Sequence, residues 1–263
     1  MERQHSLSMF RRIKLTLSYD GTDYYGFQRQ KDKPSVQGRL EEALFKITKC
    51  EIQIKGASRI DRGAHAEAQV VAFSTGSKMM PDEIQKALNS VLPKDIVVLL
   101  AEEVSGDFNP RHAKERVYRY TILNQEVRSV FFRRYSYFYP HSLNIRKMQE
   151  AAKFIIGRYD FSPFSGKGYR NPYREIKEIK IKKGLGKHKE RLIIFDITGD
   201  SFLPHMIRGI IGALLEVGRC KKDVLHLKDI LEKRAEKPSI IPSLGLSLSE
   251  VRYYTKINVN CKS

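Results

Sequence analysis

The stretch GASRIDRGAHAEAQVVAFST, residues 56 to 75, sets Arg59, Asp61 and Arg62 between Gly56 and Gly63, with His65 just beyond, and then runs into apolar residues. A carboxylate near guanidinium groups has its charged form favoured, so this spacing predicts an Asp61 that is ionised at neutral pH. Such a group is a poor general base. It is a usable nucleophile toward an electrophilic sugar carbon, the part a carboxylate plays in retaining glycosidases. A turn aspartate in an ordinary surface ion pair would leave the same local sequence.

Three other stretches carry polar or aromatic groups in suggestive places. In RVYRY, Arg116, Tyr118 and Tyr120 share one strand face, with Val117 and Arg119 on the other. Rings beside arginine suit base stacking and phosphate contact, and they equally suit a half-buried sheet. In DSFLPHMIRGIIGALLEVG (200 to 218), Phe202, Leu203, Met206, Ile207, Ile210, Ile211, Leu214 and Leu215 form a broad apolar stripe that Arg208 interrupts. A cation there needs a partner or a path to solvent, because an unpaired buried charge costs several kcal/mol. Asp61 is the candidate partner. His205 reads as a cap or a water-facing residue rather than a metal ligand. The loop YDGTDYYGFQRQ (19 to 30) combines glycines, aspartates and aromatics in a way that suits a loop meeting a ligand, but it lacks the G-K-[ST] ending of a phosphate-binding loop. GLGKHK (184 to 189) reads as a basic hairpin turn. The signatures of serine hydrolases, zinc proteases and kinases do not occur.

The elements that must position these groups follow from periodicity. Ile13, Leu15, Leu17 and Tyr19 alternate as in a half-buried strand, and Val36, Leu40, Ala43, Leu44 and Ile47 recur at helical spacing behind Pro34 and Ser35. Strands at 51 to 56 and 69 to 75, a helix at 82 to 91 and a strand at 96 to 101 complete the order βαββαβ, the ferredoxin-like arrangement. The second part of the chain repeats it: a strand at 116 to 123, a helix at 145 to 156, strands near 174 to 182 and 191 to 198, a helix at 205 to 217 and a strand near 246 to 254. A further helix at 222 to 234 and the basic aromatic insert RSVFFRRYSYFY (128 to 139) decorate it. The expected fold is α+β: two ferredoxin-like halves, 1–106 with the Asp loop and 107–263 with the insert. Their mainly antiparallel sheets are expected side by side around a central cleft, where ligands prefer to sit.

The chain has 263 residues, 41% of them hydrophobic, which suffices for a real core, and a formal charge of +18. A basic globular protein of this kind points to a polyanion, nucleic acid first, although an anionic membrane surface or a ribosomal location would leave the same footprint. Cys50, Cys220 and Cys261 are isolated, so neither zinc nor a disulfide framework is indicated. The first twelve residues lack a signal-peptide core and no 18-residue apolar run occurs, so a short disordered leader and a soluble, cytosolic protein are expected.

Taken in order, YDGTDYYGFQRQ, RIDRGAHAEAQVVAF, DFNPRHAKERVYRY, YDFSPFS, REIKEI, FLPHMIRGIIGALLEVG and PSLGLSLSEVRY make the chain resemble the TruA family of tRNA pseudouridine synthases over residues 13 to 254. The resemblance implies that Asp61 is the catalytic aspartate, Tyr118 the ring that packs on the target base and Arg208 the partner of the aspartate. It makes Arg59 the residue that intervenes in the RNA and helps flip the target nucleotide, and groups His65 with the substrate-binding residues. It further implies a homodimer, with tRNA lying across both subunits, acting on uridines at positions 38 to 40 of the anticodon stem-loop without cofactor or metal. That family usually reads G-R-T-D-A-G-V-H-A in the Asp loop, where this chain has Ser58, Ile60, Arg62 and Ala64 in place of Gly, Thr, Ala and Val. Pseudouridylation detaches uracil from C1′ and reattaches it through C5, and a duplexed uridine must first be flipped out. Asp61 would either attack C1′ or remove the C2′ proton. A non-catalytic RNA-binding or RNA-chaperone protein on the same scaffold also explains the charge, the aromatics and the repeat, but leaves an acid between two arginines without a purpose. A membrane-surface protein fits less well, since no strongly amphipathic lysine-rich helix stands out.

Overall fold

A computed structural model of the chain describes residues 10–165 and 170–254, so Cys261 and most of the expected leader lie outside the described residues. Strand β1 (Arg11–Tyr19) buries Ile13, Leu15, Leu17 and Tyr19 on one face, as its alternation predicts. Helix α1 (Val36–Thr48) begins where the Ser35 hydroxyl accepts the Gly38 N–H at 3.2 Å, and it buries Val36, Leu40, Ala43 and Leu44. The chain continues through β2 (Lys55–Gly56), β3 (His65–Thr75), α2 (Pro81–Val91) and β4 (Ile96–Val104). The second part runs β5 (Glu115–Leu123), β6 (Tyr137–Phe138), α3 (Ile145–Ala152), β7 (Gly157–Asp160), β8 (Tyr173–Leu185), β9 (Arg191–Gly199), α4 (Met206–Gly218), α5 (His226–Leu231) and β10 (Leu246–Arg252).

The fold is α+β on one large, mostly antiparallel sheet. Its order is β4-β1-β3-β10-β5-β9-β8-β7, with β2 on β3 and β6 on β5. Two separate sheets flanking a cleft are not what forms. The last strand, β10, inserts between the two parts, parallel to β3 (Ser247 opposite His65, Leu248 opposite Ala66) and antiparallel to β5, and so joins them into a single sheet. One continuous cluster of buried side chains spans it, from Ile13, Leu15 and Leu40 to Phe195, Ile210 and Leu248.

Three further expectations are corrected. The strand at 51 to 56 shrinks to two residues, because Gln37 and Glu41 of α1 take the backbone bonds of Ile54 that a ladder would use. The helix expected to reach 156 stops at Ala152, tightens into a 3₁₀ turn over Lys153–Ile155, and gives way at Gly157 (φ +127) to strand β7, which the sequence pattern does not announce. The helix expected at 222 to 234 is only the single short α5.

Candidate active site

Asp61 sits in the loop between β2 and β3, and the loop of residues 20 to 27 is its seat. The Phe27 N–H donates to the Ile60 carbonyl at 3.1 Å, and the Gly63 N–H donates to the Tyr24 carbonyl at 3.2 Å. Gly26 adopts φ +94 and lies so close that a Cβ on it would stand 2.6 Å from the Ile60 oxygen, so only glycine fits. Ile60 itself is buried and anchors the loop in the core. The glycines and aromatics of YDGTDYYGFQ therefore brace the Asp loop, a different task from meeting a ligand.

Asp61 opens on a cleft of about 510 Å³, lined among others by Arg59, Tyr118 of β5, Phe202, His205 and Arg208. The Arg208 Nη1–H donates to Asp61 Oδ2 at 3.0 Å, and its Nε–H donates to the Ile241 carbonyl at 2.6 Å. That resolves the cation in the apolar stripe: its charge is paired across 147 positions of sequence. The flanking arginines do something else. Arg62 lies over the Tyr25 ring at 4.1 Å from its centroid, with Lys33 at 5.0 Å, and Arg59 stands exposed at the cleft. Neither pairs with Asp61 among the described residues. His205 Nε2 comes to 3.9 Å of the same carboxylate oxygen from the N-cap of α4, where its backbone is held left-handed at φ +63. A non-glycine residue in that region is a strained one.

Tyr118 is buried in the cleft wall, edge-on to Phe202 with ring centroids 5.3 Å apart and planes at 83°. Burial pushes its phenol up to about 12, against the pull of a hydrogen bond with Ser58 and the nearby Arg116, so the hydroxyl keeps its proton at neutral pH. Tyr120, on the same strand face, is fully enclosed instead and donates to the Pro242 carbonyl at 2.6 Å. Arg119 points the other way and pairs with Asp196 at 2.8 Å. Arg116 is 6% exposed, forms no ion pair among the described residues and is held by backbone carbonyls, with burial lowering its pKa. Around the cleft, Arg111 and Arg174 join Arg59, and Arg174 Nε is buried without a partner among the described residues.

The structure does not bring His65 to this cleft. Its Nδ1 lies 3.1 Å from the Gly21 N and 3.2 Å from Asp20 Oδ1, and its Nε2 faces the carbonyls of Arg134 and Leu244 at 2.8 and 3.1 Å. It lines a second cavity of about 640 Å³ with Asp20, Arg119 and Tyr135. Three residues of the first cleft were not singled out by sequence reasoning for what they do there. His205 precedes Arg208 by three positions, a spacing that shares one helix side and could have flagged it. Ser58 and Arg116 meet only in the folded chain. Cys50 and Cys220 are free and exposed. Among the described residues no group of three His, Cys, Asp or Glu could hold a metal ion, and no helix is long and apolar enough to cross a membrane.

A protein family described as tRNA pseudouridine synthase matches residues 16–130 and 151–254. The chain is similar to the tRNA pseudouridine synthase A of Clostridium acetobutylicum, with 42% identity over 246 residues that cover 92% of this chain and 99% of that protein. It is 39% identical over 248 residues to the tRNA pseudouridine synthase A 2 of Clostridium perfringens, covering 92% and 100% of the two chains. With the tRNA pseudouridine synthase A of Fervidobacterium nodosum it shares 38% identity over 252 residues, again 92% and 100%.

Proposed function

Because this chain belongs to the tRNA pseudouridine synthase family and is an isomerase of tRNA uridine, we propose that Asp61 is the group that acts on the ribose of the target nucleotide. The observation that carries the assignment is the Asp61 to Arg208 ion pair at 3.0 Å, set in a cleft that Tyr118 also lines. The N1 to C1′ bond breaks with its electron pair leaving on uracil. After the ring turns, C5 bonds to C1′, the C5 proton departs and N1 takes a proton, so atoms and charge balance without oxidant or energy source. Asp61 either attacks C1′, in which case its bond to C1′ breaks as C5 takes that carbon, or removes the C2′ proton and returns it to C2′ as C5 bonds to C1′. Arg208 aims the carboxylate, and misplacement by an ångström can cost about a hundredfold in rate.

Tyr118 and Phe202 form an aromatic wall for the detached base. Arg59, Arg111 and Arg174 around the cleft meet the phosphates on either side of the flipped nucleotide, and Arg59 supports the flipped state. The wider reading is that the substrate positions are 38 to 40 of the anticodon stem-loop and that a cytoplasmic homodimer holds the tRNA. It also takes the halves 1–106 and 107–263 as ferredoxin-like. The strand orders β4-β1-β3, with β2 on β3, and β10-β5-β9-β8 support that last point, since each is the same permutation of its own strands. His65 belongs to the seat of the loop rather than to the substrate.

The test is to incubate the protein with unmodified tRNA transcript and no cofactor, and to map pseudouridine by position. The wild type is expected to form it in the anticodon stem-loop. Asp61→Asn is expected to form none yet to bind tRNA nearly as well, because affinity is spread over many Lys and Arg side chains. Full activity in Asp61→Asn would remove the carboxylate from its role, and a silent substitution in an inert wild type would favour a non-catalytic RNA-binding protein.

A further inference from the structure

We propose that Arg62, stacked on Tyr25 and joined there by Lys33, forms a phosphate-binding subsite for tRNA outside the Asp61 cleft, beside the place where the target nucleotide enters. The inference rests on the reading of that cleft as the catalytic one. Its starting point is the parting of two adjacent side chains. Asp61 faces the cleft, and Arg59, Arg111 and Arg174 line it as well. Arg62 is not among the lining residues. Its guanidinium turns out over the loop of residues 20 to 27 and lies 4.1 Å from the centroid of the Tyr25 ring, where Lys33 Nζ comes to 5.0 Å. Both cations are exposed, and among the described residues neither side chain forms an ion pair or a hydrogen bond.

The backbone beneath these groups is fixed. The Arg62 carbonyl accepts the Ser243 hydroxyl at 2.6 Å, and the next residue, Gly63, is held at φ +74 with its N–H on the Tyr24 carbonyl at 3.2 Å. The Tyr25 N–H donates to the Pro34 carbonyl at 2.9 Å, and the Tyr25 carbonyl accepts Gln30 Nε2 at 2.7 Å. Gln30 and Lys33 pair as an isolated antiparallel bridge, which turns Lys33 back toward the ring. A guanidinium that stacks by its face keeps the five N–H donors in its plane free, and their fork matches phosphate oxygens two at a time. Stacking also holds the side chain in place before a ligand arrives, so less conformational entropy is lost on binding. Two cations that share one ring without an acid repel each other, and an anion between them relieves that cost. The anion tRNA brings here is a backbone phosphate next to the flipped nucleotide, because Asp61 and Arg62 are neighbours in the chain. The Asp-loop pattern that this chain resembles carries Ala at this position, a side chain too short to reach either the ring or a phosphate.

The experiment measures the affinity of the full-length protein for an unmodified tRNA transcript against salt concentration, in the Asp61→Asn background so that no turnover intrudes. Each phosphate neutralised on a single-stranded segment contributes about 0.7 to the slope of log affinity on log salt. Arg62→Ala is expected to lower the slope by about that amount and to weaken binding about three- to tenfold at low salt, with less effect as salt rises. Arg62→Lys keeps the charge and loses the planar fork, so it is expected to restore the slope and only part of the affinity. Tyr25→Leu removes the ring and neither charge. It is expected to keep the slope and weaken binding, and to do so far less in the Arg62→Ala background. An Arg62→Ala protein that binds with undiminished affinity and slope would overturn the proposal, leaving Arg62 as a mere cover for Tyr25. Weaker binding at an unchanged slope would overturn it too, since no phosphate would then be neutralised there. Equal losses from Tyr25→Leu with and without Arg62 would overturn the stacked geometry. A wild type that forms no pseudouridine sinks the catalytic reading, whereas an active wild type with an unaltered Arg62→Ala slope sinks only the subsite.

Discussion

Asp61, in the loop before β3, and His65, the first residue of β3, stand four residues apart, and their surroundings are opposite in kind. The Asp61 side chain is 19% exposed, takes one arginine and leaves the rest of its acceptor capacity facing an open cleft. The His65 side chain is 7% exposed, with its ring nitrogens enclosed by backbone groups of three other segments and by the Asp20 carboxylate at 3.2 Å. Arg208 and Arg116 repeat the contrast, one paired with a carboxylate that faces the cleft, the other wrapped in carbonyls. A buried polar group with every valence satisfied is a fastener, and leaving it unsatisfied costs the full desolvation of its partners. Spare hydrogen-bonding capacity beside a cleft is what chemistry needs.

That contrast can be broken from the chemical side first, where the effect is largest. Arg208→Ala removes the cation that aims Asp61, and is expected to slow single-turnover pseudouridine formation at least about a hundredfold while tRNA binding changes little. On the fastening side, Gly21→Ala would put a Cβ 1.8 Å from the backbone oxygen of Ala64, so the loop must shift; a stability loss of roughly 3 kcal/mol is expected in chemical denaturation. His65→Ala strands the Gly21 N–H and two carbonyls, with an expected loss of about 2 kcal/mol in the same measurement, and a smaller fall in rate than Arg208→Ala causes.

The smallest effect, and the most specific, belongs to Asp20. Burial opposes its ionisation, yet the hydroxyl and backbone N–H of Thr22 and the hydroxyl of Tyr135 hold its pKa at about 2. A carboxylate depressed in this way stabilises the fold above its unfolded value of about 3.9 and loses that contribution as pH falls toward 2. Stability measured against pH is expected to separate Asp20→Asn from wild type at neutral pH and to merge the two near pH 2. A gap that persists at pH 2 would mean that Asp20 acts through shape rather than charge. Because Arg134 and Tyr135 reach Asp20 from the basic insert, the same substitution is expected to loosen the insert without touching the Asp61 to Arg208 pair.

Most regular elements could be read from periodicity because a single face of each is buried. β1 and α1 show it plainly, with Leu15 and Leu40 inside and polar neighbours outside. β2 could not be read, since Ile52 and Ile54 alternate like a strand and are buried like one while α1 side chains take the backbone bonds of Ile54. The single sheet was hidden as well, because the parallel pairing of β10 with β3 links residues about 180 positions apart. At the cleft, Asp61 stood out by its neighbours in sequence, but those neighbours are not its partners.

Residue types and their spacing alone determined that this chain has α+β elements, a strongly basic composition and a carboxylate worth asking about, because burial periods and charge are local properties. Which groups face one another was decided only by tertiary structure: Arg208 on Asp61, Arg116 on Ser58, His65 turned into a rivet. Those choices depend on where distant segments meet, and a hydrogen bond is settled by a few tenths of an ångström that no spacing along the chain encodes.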